Sequence, residues 1–330
     1  MKYLITVFLS VIILLSTSGQ SRSITFTPTV YYNNFSQKFP PVLVIHQGDT
    51  IKSVSVDAGG FDKNGERVAK RGNPLTGPFY IDSAETGDIV AITLTNVSLN
   101  RDYATTVEGF VKRSLPMETI KEVYGRNAKL VKWTLDIKND FAIPNFAHEH
   151  LAGFKIPLRP FLGCVGLAAP QESKEPLTYF ADVYGGNMDF YKMTQGATIY
   201  LPVFHEGGLL YLGDGHAAQG DGELNGDALE TSMDFSFVAR VIKGKPQIKF
   251  PLIEDSEHIV AMAMDKTLEQ ALKKATFGLL EWLQISYNLT LKEATQVIGH
   301  LIEYRIPTLA GPKLEVAAMI KKEYLAGLKK

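Results

Sequence analysis

A single cysteine, Cys164, in 330 residues excludes an internal disulfide, so the fold must rest on burial. Charge of either sign is not in excess. The 34 basic and 35 acidic residues leave a net charge of −1, which provides no electrostatic footprint for nucleic acid. Internal repeats and low-complexity tracts are also missing, as is any break in composition that would separate independent domains. What is there, 45% apolar and 21% charged residues, is ordinary for a globular chain. The length suffices for one large core or two modest ones.

Residues 1–20 read as a leader. Lys2 supplies a positive start, Leu4 to Leu15 is a nearly unbroken apolar run too short for a membrane span, and the small residues Ser16-Thr17-Ser18-Gly19 follow. Cleavage is expected near Gly19-Gln20, with no cysteine at the boundary for lipid attachment. The expectation is an exported protein, periplasmic or secreted, with no stable membrane insertion after signal cleavage. Residues 21–330 form one domain in this reading, with a helical C-terminal part from about 265 to 330.

The mature chain is organised around residues 213–230. Gly213-Asp214-Gly215-His216-Ala217-Ala218-Gln219-Gly220-Asp221-Gly222-Glu223 leads to Asp227 and Glu230. Carboxylates and an imidazole are interleaved with glycines, which let a backbone turn tightly and approach a ligand closely. The stretch follows Leu209-Leu210-Tyr211-Leu212, a buried-strand pattern. If the strand continues through His216, its period of two puts Asp214 and His216 on one face, and the same alternation pairs Asp221 with Glu223.

The segments before it alternate as strands separated by turns, from Ile24 to about residue 110, which points to a sandwich or barrel. One of them, Thr50 to Val56, ends at Asp57 beside Gly59-Gly60. That Asp is either a turn residue or a ligand delivered to the sheet's rim. A short helix is expected at Met117 to Tyr124 and a strand at Val131 to Leu135. His148-Glu149-His150 is a second metal-capable cluster. Gly185-Gly186-Asn187 forms a turn that exposes backbone N–H groups and an amide. Towards the C-terminus, Leu268 to Leu283 has helical spacing. A second helix is expected to start at the capping box Thr290-Leu291-Lys292-Glu293, and a third to run from Leu314 to Leu328.

The sequence resembles the acetamidase/formamidase family, hydrolases of short amides. The resemblance is carried by Asn73-Pro74-Leu75-Thr76-Gly77-Pro78 with Ala84-Glu85-Thr86-Gly87-Asp88, and by Pro157-Leu158-Arg159-Pro160-Phe161-Leu162-Gly163. Gly185-Gly186-Asn187-Met188-Asp189 and Leu201-Pro202-Val203 with the 213–223 stretch complete it. It implies a mainly β fold with added α, a jelly-roll-like β-sandwich core plus C-terminal helices, and a bound divalent metal. The chain departs from the pattern in its export signal and in having Asn73 where many members have His.

Amide hydrolysis needs a polarised carbonyl, an activated water and a proton for the departing amine, and a metal beside a carboxylate base supplies these. The expected ligands are Asp214 and His216, joined by Asp57 and Glu230 in preference to His148. Glu223, or failing that Asp221, is the expected base, and Gly186 and Asn187 the substrate contacts. Because His216 favours a transition metal, zinc is the expected ion. The oxygen-rich set also suits Ca²⁺. The partner is a small amide, with a homo-oligomer left open. The alternative is a non-catalytic binding protein with a structural Ca²⁺ site. Cys164, in an apolar run with no cation nearby in sequence, reads as an inert buried thiol.

Overall fold

A computed structural model describes residues 21–124, 129–146, 149–170, 175–244 and 248–328. The leader and His148 lie outside them.

Two large sheets make up the molecule. The first runs in the order Ser23–Thr25, Thr50–Val54, Met233–Ile242, Ile89–Leu99, Thr198–Pro202, Leu252–Glu254, His258–Asp265, Leu314–Lys321 and Glu303–Arg305. The second is built around the strand Leu210–His216, which lies between Phe161–Gly166 and the two-residue strand Glu230–Thr231 and also pairs with Thr76–Ile81. Alternation along these strands sends Ile92, Leu94, Phe235 and Phe237 from the first sheet, and Phe79, Leu162, Leu210 and Leu212 from the second, into one shared core. Phe79 and Phe237 meet across it edge to face at 5.3 Å. The expected β-sandwich with added helices is therefore present.

A second core lies on the outer face of the first sheet. The helix Leu268–Tyr287 buries Ala271, Ala275, Leu279 and Leu283 against Ala261, Ala263 and Ala318. The helix Leu291–Leu301 follows, and Thr290 caps it with the reciprocal Thr290–Glu293 box that the sequence predicts. The third expected helix is not one. Leu314–Lys321 is a strand between His258–Asp265 and Glu303–Arg305, followed by a 3-10 turn at Lys322–Leu325. It is covered on both faces, so Val316 to Ile320 are all apolar, and a continuous apolar run carries no period by which strand and helix can be told apart. Among the described residues, no helix is long and apolar enough to cross a membrane.

Candidate active site

The strand Leu210–His216 is buried at every position. Its even-numbered residues begin as Leu210 and Leu212 in the core and end as Asp214 and His216, so apolar packing gives way to chemistry on one face of one strand. Across the ladder, Glu230 stands directly opposite His216, and its Oε1 lies 3.2 Å from His216 Nε2. Asp214 Oδ2 is 3.5 Å from the same nitrogen.

Phe161–Gly166 brings in a third carboxylate. Phe161 pairs with His216 and Leu162 with Gly215, a register that puts Gly163 level with Asp214. The carbonyl of Gly163 accepts the N–H groups of both Met188 and Asp189, drawing Asp189 in beside the strand. A side chain at position 163 has no room. Its Cβ would lie 2.7 Å from Asp189 Oδ1 and from Asp214 Oδ2, and 2.8 Å from His216 Cε1. Glu223 enters from the loop after the strand, and Thr308 donates its hydroxyl to Glu223 Oε2 at 2.6 Å.

Two overlapping groups with metal-ligand spacing result, Asp189–His216–Glu223 and Asp214–His216–Glu230. Asp189, Asp214, Glu223 and Glu230 are all buried. Asp189 Oδ1, Asp214 Oδ1 and Glu230 Oε2 have no hydrogen-bond partner among the described residues. Burial pushes the Glu223 carboxyl up to about 7 and that of Glu230 to about 8, with the charge of His216 opposing in both cases. Asp189 is raised well above the carboxylate range by burial and then by the charge of Glu223. Burial disfavours a charged His216, but Glu230 and Asp214 outweigh it and raise the imidazole well above its ordinary value. Four buried carboxyls about one imidazole need protons or a cation to be tolerable.

Amides hold this arrangement in place. Asn73 Nδ2 donates to Asn187 Oδ1 at 2.8 Å and to Asp214 Oδ2 at 3.1 Å, and Asn187 Nδ2 donates to Asp189 Oδ2 at 2.5 Å. Asn73, Asp189, Asp214 and Glu223 all take positive φ, at 51°, 43°, 59° and 48°, a region uncommon for residues with a side chain.

Of the residues expected from sequence, the structure brings Asp214, His216, Glu223 and Glu230 together and leaves others out. Asp57 is not in the cluster. Its Oδ1 accepts from the N–H groups of Gly59 and Phe61, and its Oδ2 takes the buried Arg101 guanidinium at 2.6 Å. Arg101 also donates to the carbonyl of Glu230 at 3.3 Å, so Asp57 steadies the strand that carries Glu230. Asp221 is 47% exposed and lies 3.6 Å from Arg305, because residues 220–223 form a turn and the strand that would carry the alternation ends at His216. Asn187 is occupied with Asn73 and Asp189, and Gly186 pairs with Val165 and Ala181 in the sheet, so both position the acids. Cys164 is buried, its thiol raised well above the usual value by burial and by Asp214 and Asp189.

Sequence reasoning missed Asp189, Asn73, Gln219 and Thr308. The first two lie inside recognised motifs, Gly185 to Asp189 and Asn73 to Pro78, and a carboxylate two residues after an amide in a Gly-Gly turn was the available signal. Thr308 is brought in by pairing around Gly222, whose N–H reaches the carbonyls of Ile306 and Pro307, and nothing local marks it.

Two cavities reach the cluster. One of about 1250 Å³ is lined by Gln219, Glu223 and Asp227. The other, about 460 Å³, is lined by Asn73, Asp227, Glu230, Arg67 and Arg71.

The model of the Acetamidase/Formamidase family matches residues 178–260, the segment that carries Asp189, His216, Glu223 and Glu230. A candidate formamidase of Schizosaccharomyces pombe is 23% identical over 269 residues, 64% of this chain and 64% of its own length. An acetamidase of Mycolicibacterium smegmatis is 54% identical over 41 residues, 12% of this chain and 10% of its own. The chain thus spans less than two thirds of the length of either relative. In fold, the acetamidase of Yersinia enterocolitica superposes with a TM-score of 0.79 at 24% identity, over 94% of this chain and 96% of that one. The segment that bears the carboxylate cluster is the segment the family model recognises, and over residues 178–260 the chain is similar to the acetamidase/formamidase family.

Proposed function

We propose that the chain is an exported, metal-dependent amidohydrolase that cleaves the C–N bond of a linear, non-peptide amide. Water adds across the bond. A C–O bond forms as C–N breaks, the nitrogen takes a proton and leaves as ammonia, and the acyl part leaves as a carboxylate. The single observation that carries this reading is the set of four buried carboxyls around His216, three of whose oxygens have no partner among the described residues.

The donor set fits a divalent cation. Asp189 Oδ1, which has no partner among the described residues, and Asp214 Oδ2 converge where a Cβ on Gly163 would stand, and His216 presents Nε2 between Asp214 and Glu230. Asp189, Asp214, His216 and Glu230 would hold the ion, and zinc suits a ligand set that includes imidazole. When bound, the ion supplies polarisation of the carbonyl and lowers the pKa of a bound water.

The remaining work falls to the chain. Gln219 accepts from His216 Nδ1 at 2.9 Å, while its own Nε2 donates to the carbonyls of Asp189 and Pro307. The amide is thereby oriented, Nδ1 carries the hydrogen, and Nε2 faces the carboxylates. Glu223 lines the large cavity, and burial holds its carboxyl at about 7. At neutral pH it can both accept a proton from water and return it to the leaving nitrogen. Asn73 and Asn187 hold Asp214 and Asp189 in place by donating to their carboxylates.

Metal analysis of purified protein, paired with ammonia release from a panel of primary amides, tests the reading. Metal-dependent ammonia release is expected, and a metal-loaded protein inert to every amide would overturn it. Export rests on the leader pattern of residues 1–20. Mass spectrometry of secreted protein should find an N-terminus within a few residues of Gln20, whereas an intact chain in the cytoplasm would overturn export.

A further inference from the structure

The larger cavity is out of proportion to a formyl or acetyl group. At about 1250 Å³ it exceeds the roughly 300–1,000 Å³ of pockets that enclose drug-sized ligands, and acetamide would occupy a small corner of it. Its polar end is Gln219, Glu223 and Asp227. Its walls are Val131, Trp133, Phe146, Phe154, Leu158 and Leu229. Trp133 is the centre of the aromatic wall, with Phe146 and Phe154 each edge-on to it at 6.3 Å. Trp133, Leu158 and Leu229 pack into a local core together with Ala217 and Ala218, so this wall is anchored to the same loop that carries Gln219.

Charge does not favour an anionic ligand here. The cations Lys129, Lys132 and Arg159 in its lining are matched by the acids Glu108, Glu223 and Asp227, and Lys132 lies over the Tyr103 ring at 4.1 Å and Arg159 over the Tyr191 ring at 4.4 Å. Apolar surface that stays wet in a substrate-free groove gains most from an apolar ligand.

We propose that the groove selects primary amides with an aromatic or branched apolar acyl body, so that the substrate is an arylalkyl amide and not formamide or acetamide. The inference rests on the amidohydrolase reading above, and the release of ammonia requires the body to be on the acyl side. The carboxamide sits at Glu223 and Asp227 while the ring lies against Trp133 and Phe154. Phe154 is 44% exposed, at the outer edge of the wall, where a bound ring would cover it.

The test compares acetamide with 3-phenylpropanamide on metal-loaded protein, and follows binding separately. The expected kcat/KM is higher for 3-phenylpropanamide by about 10- to 100-fold, the range that burying a phenyl group provides. Val131→Trp, which fills the groove, should lower that ratio by about tenfold or more, and Phe154→Ala should lower it by a few-fold. Circular dichroism of both variants guards against misfolding. Binding is read from the fluorescence of Trp133 in a Trp282→Phe background, which leaves one emitter. 3-Phenylpropanoate should change it saturably, and acetate should not. Hydrolysis of both amides at equal kcat/KM, with no saturable fluorescence change, overturns the groove assignment and leaves the amidohydrolase reading intact. Saturable binding without hydrolysis of any amide overturns the amidohydrolase reading and upholds the ligand class of the groove.

Discussion

Gln219 and His216 share a hydrogen bond of 2.9 Å whose direction is fixed by the far end of the glutamine, since Gln219 Nε2 faces two carbonyl oxygens and can only donate to them. The bond determines which imidazole nitrogen is free. Gln219→Ala should weaken zinc binding by about 10- to 100-fold, the range typical for loss of a partner that orients a ligand. Competition with a chromogenic chelator measures it. Unchanged affinity would mean that His216 is oriented by its carboxylates alone.

Gly163 is the second control point. Gly163→Ala places a methyl among Asp189, Asp214 and His216 at distances that no real Cβ shows. The expected outcome is loss of bound metal and of ammonia release, with the β-rich circular dichroism spectrum retained. A Gly163→Ala protein with full metal content would remove the ion from this position.

Glu223→Gln keeps size and polarity and removes the proton acceptor. Amide turnover should fall by about 10²- to 10⁴-fold, with metal content and melting temperature close to those of the parent. Loss of metal in step with loss of turnover would instead make Glu223 a ligand.

Away from the site, Asp49 tests the pH dependence of stability. The side-chain hydrogen bond from Arg22 holds its carboxyl at about 2, below its ordinary 3.8. A depressed folded-state pKa stabilises above the unfolded value and ceases to do so as pH falls through the folded one. Asp49→Asn should therefore cost about 1 kcal/mol at pH 7, discounted because Arg22 is half exposed. The difference from the parent should vanish between about pH 4 and 2. Urea unfolding at several pH values gives both numbers, and a gap that persists at pH 2 would contradict the assignment.

What could be read in the sequence followed from local rules. The capping box at Thr290 and the Asp214–His216 alternation each depend on residues within four positions, and both are present as expected. Asp57 defeated the same kind of reading because its partner, Arg101, lies 44 residues away. Asp189 was invisible as a site residue for a related reason. The register of Phe161–Gly166 against Leu210–His216 is what delivers it, and register is a property of the assembled sheet. Leu314–Lys321 misled in another way, since burial on both faces erases the alternation that identifies a strand.

The left-handed backbone at Asn73, Asp189, Asp214 and Glu223 sets function against durability. Such conformations cost on the order of 1 kcal/mol or more at each residue with a side chain, and glycine takes them freely. Any search for heat-resistant variants that does not also demand turnover should therefore drift toward glycine at these four positions, and every such gain in melting temperature would be taken from the site itself.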